Sequence, residues 1–424
     1  MSIDTISVRN TFPPIRVHVG GPCSRSELHA RQQESSSGSL REREELVEAM
    51  KRCRMHSRRV FPNRRLMRVD GRIRKFLALL VVFALMTAMI AGCGGETTDT
   101  DTDTTGEEQE TDIKAAMVTD VGGLGDKSFN DLSNAGLERA RDELGVEIRV
   151  LESKEITDYE SNIDQLASAG FSPIFAVGFL MTDTVAKMAP EYPDTQFGGV
   201  DEFFDPVPEN VVGLNFKEEE GSYLAGVVAG LATIDSFDDK LNADNVIGFV
   251  GGMDVPLIKK FEAGFIAGAK SVNPDVQVIS LYAGNFTDQA KGKELGYSLI
   301  EQRADVIYAA AGAVGLGTIE ACKEKGALFI GVDADQYETV PGSGDVMLTS
   351  MVKRVDNAVF ETIKAAVEGN FPGGQIQVFG LAEEGVGLAP FHDFEDTVPQ
   401  AIKDAVETAR EGIIDGSIMV PTAP

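Results

Sequence analysis

The sequence predicts a two-lobed α/β protein built on parallel sheets, on three observations. Short runs rich in β-branched residues alternate with amphipathic helical stretches through residues 112–424, the pattern of strands joined by right-handed crossovers. The unit recurs about every thirty residues, the length of a strand–helix–strand step. Two such series, opening alike, flank a long apolar Gly/Ala-rich segment at 221–233.

Taken in order, the first series places strands at 114–119, 147–151, 173–177 and 196–200, with helices near 129–143, 159–169 and 181–189. The segment 221–233 reads as a buried or crossing helix, being apolar on every face. The second series places strands at 246–250, 276–280, 305–309 and 328–332, with helices at 255–272, 288–302 and 314–325. A last helix, 398–412, is expected to pack on a lobe. The first series opens with Val121-Gly122-Gly123, Phe129 and Asn134-Ala135-Gly136, the second with Val250-Gly251-Gly252, Phe261 and Glu262-Ala263-Gly264. Each Gly pair permits a tight strand-to-helix turn. The parallel reads as a duplicated lobe, with generic α/β turn chemistry as the alternative. Ligands of open parallel sheets sit beyond the carboxyl ends of strands, so two lobes should bind in the cleft between them.

The formal net charge of −28 conceals two unlike pieces. Residues 1–92 hold 17 Lys plus Arg against 8 Asp plus Glu, whereas residues 93–424 hold 22 against 59. So acidic a surface repels phosphate backbones, which excludes nucleic-acid binding and disfavours phosphorylated ligands. It is also compatible with a salt-rich habitat, where self-repulsion is screened. His18, His29 and His56 lie in the basic piece, leaving His392 alone in the acidic one and expected to be structural. A Ser-His-Asp triad or a multi-histidine zinc site is thereby disfavoured. With Cys93 and Cys322 the only cysteines beyond residue 92, no disulfide framework exists to read.

From Met67 a basic stretch precedes an apolar run at 76–90 and then Ala91-Gly92-Cys93. A basic n-region, a short h-region and a small-residue cleavage site make a signal peptide over 67–92, too short in its apolar run for a spanning helix. Ile90-Ala91-Gly92-Cys93 resembles the bacterial lipobox, whose cysteine carries diacylglycerol, so Cys93 is expected to be the lipidated N-terminus of a membrane-anchored, extracytoplasmic protein. A soluble exported protein is the alternative. Residues 1–66 then read as an over-extended frame, with initiation at Met67, or as disordered. The acidic low-complexity run after Cys93, to residue 111, reads as a disordered tether.

Strand ends nominate the cleft residues. Asp120 closes the first strand, and Asp126, Ser128, Phe129 and Asn130 follow in the glycine-rich loop that opens the next helix. Asp201, Phe286, Gly312 and Asp333 follow later strands, and Lys353 follows Thr349-Ser350-Met351-Val352. Carboxylates, a hydroxyl, an amide and aromatics at helix N-termini suit a polar ligand with a flat face. Asp126 and Ser128 equally suit N-caps, the phenylalanines equally suit a core, and Lys353 could be a surface charge. The loop lacks the Gly-Lys-Ser/Thr ending of a phosphate loop.

The motifs Asp120-Val-Gly-Gly-Leu-Gly-Asp-Lys-Ser-Phe-Asn130, Glu220-Gly-Ser-Tyr-Leu-Ala-Gly226, Gly248-Phe-Val-Gly-Gly252, Gly331-Val-Asp-Ala-Asp-Gln336 and Thr349-Ser-Met-Val-Lys353 stand in order along the chain. Together they resemble the basic-membrane-protein family of lipoproteins, the purine-nucleoside-binding components of ABC importers of the PnrA type, over residues 114–379. The resemblance implies a type I periplasmic-binding-protein fold, two Rossmann-like lobes hinged about the cleft, and delivery of a nucleoside to a membrane permease. It also implies that Phe129 and Phe286 sandwich the base, that Asp333 and Lys353 contact the ribose with Asp126 and Asn130 assisting, and that Asp201 meets the base edge. No catalysis, cofactor, metal or nucleic-acid partner is expected, and the protein should act as a monomer. Alternatives are the same fold binding a sugar or other small polar metabolite for uptake or signalling, and a nucleoside hydrolase using Asp333 and Asp335 around calcium.

Overall fold

Alternation of buried strands with half-buried helices generates two sheets of one strand order. The computed structural model describes residues 112–424; the expected signal segment, Cys93, the acidic tether and residues 1–66 lie outside the described residues. In lobe 1 the elements are β1 (Lys114–Val118), α1 (Phe129–Leu144), β2 (Glu147–Leu151), α2 (Asp158–Ser168), β3 (Ile174–Val177), α3 (Thr182–Glu191), β4 (Phe197–Val200) and β5 (Val211–Phe216). The helix α4 (Glu218–Ala232) leads to lobe 2, with β6 (Val246–Gly251), α5 (Pro256–Val272), β7 (Gln277–Tyr282), α6 (Gln289–Glu301), β8 (Val306–Ala310), α7 (Ala313–Lys325), β9 (Leu328–Asp333), α8 (Gln336–Thr339) and β10 (Met347–Lys353). The chain returns through α9 (Val355–Val367) to β11 (Gln375–Phe379) in lobe 1, crosses again to β12 (Val386–Leu388) in lobe 2, and ends with α10 (Gln400–Ile414).

The strand orders are β11-β5-β4-β3-β1-β2 and β12-β10-β9-β8-β6-β7. Every pairing is parallel except β10 with β12. Wholly buried β3, β4, β8 and β9 read as continuous apolar runs because helices cover both faces of each sheet. Apolar cores line the two faces of the lobe 1 sheet, one built from α1 and α9 side chains and one from α2 and α3. In lobe 2 the corresponding cores draw on α4 and α5, and on α6 and α7.

Helix α4 is almost entirely buried and begins with three glutamates, which suits the positive end of its dipole. It meets α5 backbone to backbone: a Cβ on Gly226 would lie 2.1 Å from the Phe265 carbonyl oxygen, and one on Gly264 would lie 2.1 Å from that of Glu219. Three crossings join the lobes, near Lys217, near Arg354 and within 380–385.

Several elements go beyond the sequence-based expectation. Strands β5, β10, β11 and β12 and helix α9 were not anticipated, and the expected strand 276–280 runs instead over Gln277–Tyr282. β11 is a half-exposed edge strand and β12 has only three residues, so neither carries an apolar period of its own.

Candidate functional site

The carboxyl ends of β1, β3, β4, β8, β9 and β10 open on a cavity between the lobes. About 600 Å³ there is unoccupied by protein atoms, part of it open to solvent. Asp120, Asp126, Phe129, Asn130 and Asp201 line it from lobe 1, and Phe286, Gly312, Asp333 and Lys353 from lobe 2. Ser128 is the exception. Fully buried, it does not line the cavity, and its Oγ instead donates to Asp333 Oδ2 at 2.5 Å, tying one lobe to the other.

The loop after β1 is organised by its own acids. Asp126 Oδ1 accepts from the Ser128 and Asp131 amides at 3.0 and 3.1 Å, and Oδ2 accepts from the Asn130 amide at 2.8 Å. Asp126 therefore caps α1, whereas Ser128 occupies the N-cap position without a side-chain cap. Asn130 Nδ2 donates to Asp120 Oδ1 at 2.9 Å and to Asp126 Oδ2 at 3.1 Å. Two carboxylates facing one end of the amide fix which end is nitrogen. Asn130 Oδ1 is left buried without a partner among the described residues, and so is Asp201 Oδ1.

At the opposite wall, Lys353 is 1% exposed, its ammonium 2.6 Å from Asp201 Oδ2 and 3.0 Å from Glu218 Oε1. It also lies over the rings of Phe216, Phe129 and Phe261, 4.9, 5.2 and 5.6 Å from their centroids. The alternative of Lys353 as a surface charge is thereby excluded: β10, which the sequence did not reveal, carries it into the interior. Burial works against the ammonium, but Asp201, Glu218 and Asp333 outweigh it and raise its pKa. Burial pushes Asp120 up to about 6, against the Asn130 and Gly122 hydrogen bonds. It likewise pushes Asp333 up to about 6, against Lys353 and Ser128, and raises Asp201 despite its ion pair.

The aromatic wall is shared. Phe286 packs on Gly252, where a Cβ would sit 2.1 Å from its ring, so the second Gly pair is the seat for this side chain. Phe179, in a 3-10 turn after β3, meets Phe286 across the cleft edge-on, with centroids 6.3 Å apart at 77°. Phe179, Leu257, Ile258 and Phe261 line the cavity and were not nominated from sequence. The strand-end rule that found Asp201 would have found Phe179, since it follows Gly178 at the end of β3. Asp335, in contrast, turns from the cleft: His392 Nε2 lies 2.7 Å from its Oδ2. The pair Asp333 and Asp335 thus does not converge, and among the described residues no group of three potential ligands could hold a metal ion.

Comparison with known proteins agrees with this architecture. The family Bmp, described as ABC transporter substrate-binding protein PnrA-like, matches residues 113–423. The ABC transporter nucleoside-binding protein BmpA of Lactococcus lactis is 34% identical over 82% of this chain and 99% of its own length. A lipoprotein of Pyrococcus abyssi, described as uncharacterized, is 36% identical over 80% of this chain and 86% of its own. Among solved structures, an ABC transporter solute-binding protein of Aeropyrum pernix superposes with a TM-score of 0.67 at 30% identity, covering 73% of this chain and 93% of that one. The fold is that of type I periplasmic binding proteins, and the chain belongs to the Bmp family of PnrA-like ABC transporter substrate-binding proteins.

Proposed function

We propose that this protein captures nucleosides in the interlobe cleft and hands them, uncatalysed, to the permease of an ABC importer. The observation that carries the reading is the pair of buried acceptors, Asn130 Oδ1 and Asp201 Oδ1, left unpartnered in a cleft that also presents phenylalanines from both lobes. Buried polar atoms are rarely left without partners, and a nucleoside offers N–H and O–H donors together with a flat base. Phe129 and Phe286 take the base faces; Asp120 and Asp201 meet its edge; Asp333 and Lys353 take the ribose hydroxyls, with Asn130 assisting. Asp126 and Ser128 act behind them, the first by holding the α1 N-terminus and the second by fixing Asp333. The buried carboxylates disfavour nucleotides, and the name of the Lactococcus relative supports the ligand class.

The reading extends to the cell surface. Cys93 anchors the chain through lipid on the extracytoplasmic face, as the lipoprotein name of the Pyrococcus relative supports, and the acidic tether gives the receptor reach toward the permease. Calorimetric titration of the purified full chain with adenosine, guanosine, inosine, cytidine, uridine and ribose tests the ligand class. Sub-micromolar binding of nucleosides without turnover is expected, and binding of ribose alone would replace this reading with a sugar receptor. Phe129→Ala should weaken nucleoside binding by about 1–3 kcal/mol, the range for base–aromatic stacking. An unchanged affinity would remove Phe129 from the site.

A further inference from the structure

We infer that Gln336 and Thr339 form a latch that sets how long the closed cleft holds its ligand, an inference that rests on the nucleoside reading above. Both lie on the short helix α8, immediately after Asp333, and both reach across to one atom of lobe 1. Gln336 Nε2 donates to the Lys127 carbonyl oxygen at 3.3 Å, and Thr339 Oγ1 donates to the same oxygen at 3.0 Å. Lys127 adopts a left-handed conformation, φ +58, uncommon for a residue with a side chain. Its amide donates to Asp131 Oδ2 at 3.2 Å, which helps hold that turn, and its carbonyl faces lobe 2.

The donor side is equally fixed. Gln336 is 1% exposed, its amide donates to Ser350 Oγ at 3.0 Å, and its Oε1 accepts from the Val332 amide at 3.3 Å. Its side chain occupies space that only a glycine at 331 leaves free, since a Cβ there would lie 2.7 Å from Gln336 Oε1. From behind, α8 is braced by residues 392–393. The Tyr337 and His392 rings stack at 4.0 Å, His392 pairs with Asp335, and Tyr337 Oη donates to Asp393 at 3.0 Å. Neither Gln336 nor Thr339 lines the cavity. Their bonds to Lys127 can exist only when the lobes are together, so they favour the closed state without touching ligand. They are positioning residues: one residue beyond Lys127 stands Ser128, and then Phe129 and Asn130, which the latch presses onto the ligand.

The test separates latch from scaffold. Gln336→Glu keeps the Oε1 acceptor for Val332 but replaces the donor with an oxygen facing a carbonyl; Thr339→Val removes the second donor at constant volume. Stopped-flow measurement on the full chain with adenosine should show dissociation about three- to tenfold faster in Thr339→Val, as expected for loss of one neutral hydrogen bond, and faster again in Gln336→Glu. Association rates should hold, the ligand-free melting temperature should hold in Thr339→Val, and Thr339→Ser should restore the wild-type rate. Equal dissociation rates in all variants, with adenosine bound by the wild type, would overturn the latch. Should adenosine not bind, the nucleoside of the titrated panel that does bind takes its place; should none bind, the nucleoside reading falls, and small-angle scattering decides the latch alone: a larger radius of gyration in the variants supports it, and an unchanged one overturns it.

Discussion

The two lobes share one strand order and yet present unlike walls to the cleft. Lobe 1 contributes Asp120, Asp126, Asn130 and Asp201, whereas most of what lobe 2 contributes is apolar, with Asp333 and Lys353 as its polar groups. Beneath the difference lies a repeat: Gly199-Val200-Asp201 ends the fourth strand of lobe 1, and Gly331-Val332-Asp333 ends the fourth strand of lobe 2. Both aspartates adopt left-handed backbone, φ +60 and +62, a conformation that persists at functional sites because the surroundings hold it. Each is bonded from the opposite lobe, Asp201 by the Lys353 ammonium and Asp333 by the Ser128 hydroxyl. A duplicated strand end has thus become a reciprocal clasp with one charged arm and one neutral arm.

Removing the charged arm should have the larger effect. Lys353→Met leaves Asp201 buried without its counter-charge, and Glu218 with only Lys260 at 3.3 Å. Breaking one side of a buried ion pair costs about 3–5 kcal/mol, measurable as a fall in unfolding free energy in urea. Adding Asp201→Asn to that variant should recover much of the loss, because no orphaned charge then remains. A loss below 1 kcal/mol would mean that Asp201 is already neutral in the folded protein.

The neutral arm should matter less for folding and more for closure. Ser128→Ala removes a donor to a carboxylate, an interaction worth about 1.5–3 kcal/mol, from a bond made only between closed lobes. Nucleoside affinity should fall by that amount in calorimetry while urea stability moves less. Equal falls in both would place the bond in the scaffold instead of the clasp.

The sequence revealed much of each lobe taken separately and little of what passes between them. Strands β1, β3, β4, β6, β8 and β9 were legible because buried parallel strands are apolar, the half-exposed β2 and β7 because they fall in step with the strand–helix alternation, and Asp201 and Asp333 because strand ends of this fold face the cleft. Glu218 and Thr339 were not nominated, and Gln336 was read only as a residue following the strand end at Asp333, since their roles depend on partners far along the chain. Gln336 and Lys127 stand 209 residues apart and Lys353 and Asp201 152 apart, and no local period encodes such pairs. β11 and β12 escaped for a related reason: each joins its sheet by a return of the chain from the other lobe, outside the strand–helix alternation that placed the other edge strands, β2 and β7.

The smallest expected effect concerns protons. Asp120 and Asp333 titrate near pH 6 in the folded chain because burial penalises their ionised forms. Folded-state values above the unfolded 3.8 mean that the native state binds protons more tightly, so their contribution favours folding at low pH and is lost as pH rises from about 4 through about 6. Ligand affinity should run the other way. Hydroxyl donors favour the ionised carboxylate, so binding lowers the pKa, and affinity should drop by about tenfold between pH 7 and pH 5 for each carboxylate that accepts from the ligand. Titrations across that range distinguish the lobes: Asp120→Asn should flatten the profile if the lobe 1 acid carries it, and Asp333→Asn if the lobe 2 acid does. A profile unaltered by either substitution would show that neither carboxylate accepts from the ligand, leaving Asp201 as the only cleft aspartate with an oxygen free to do so.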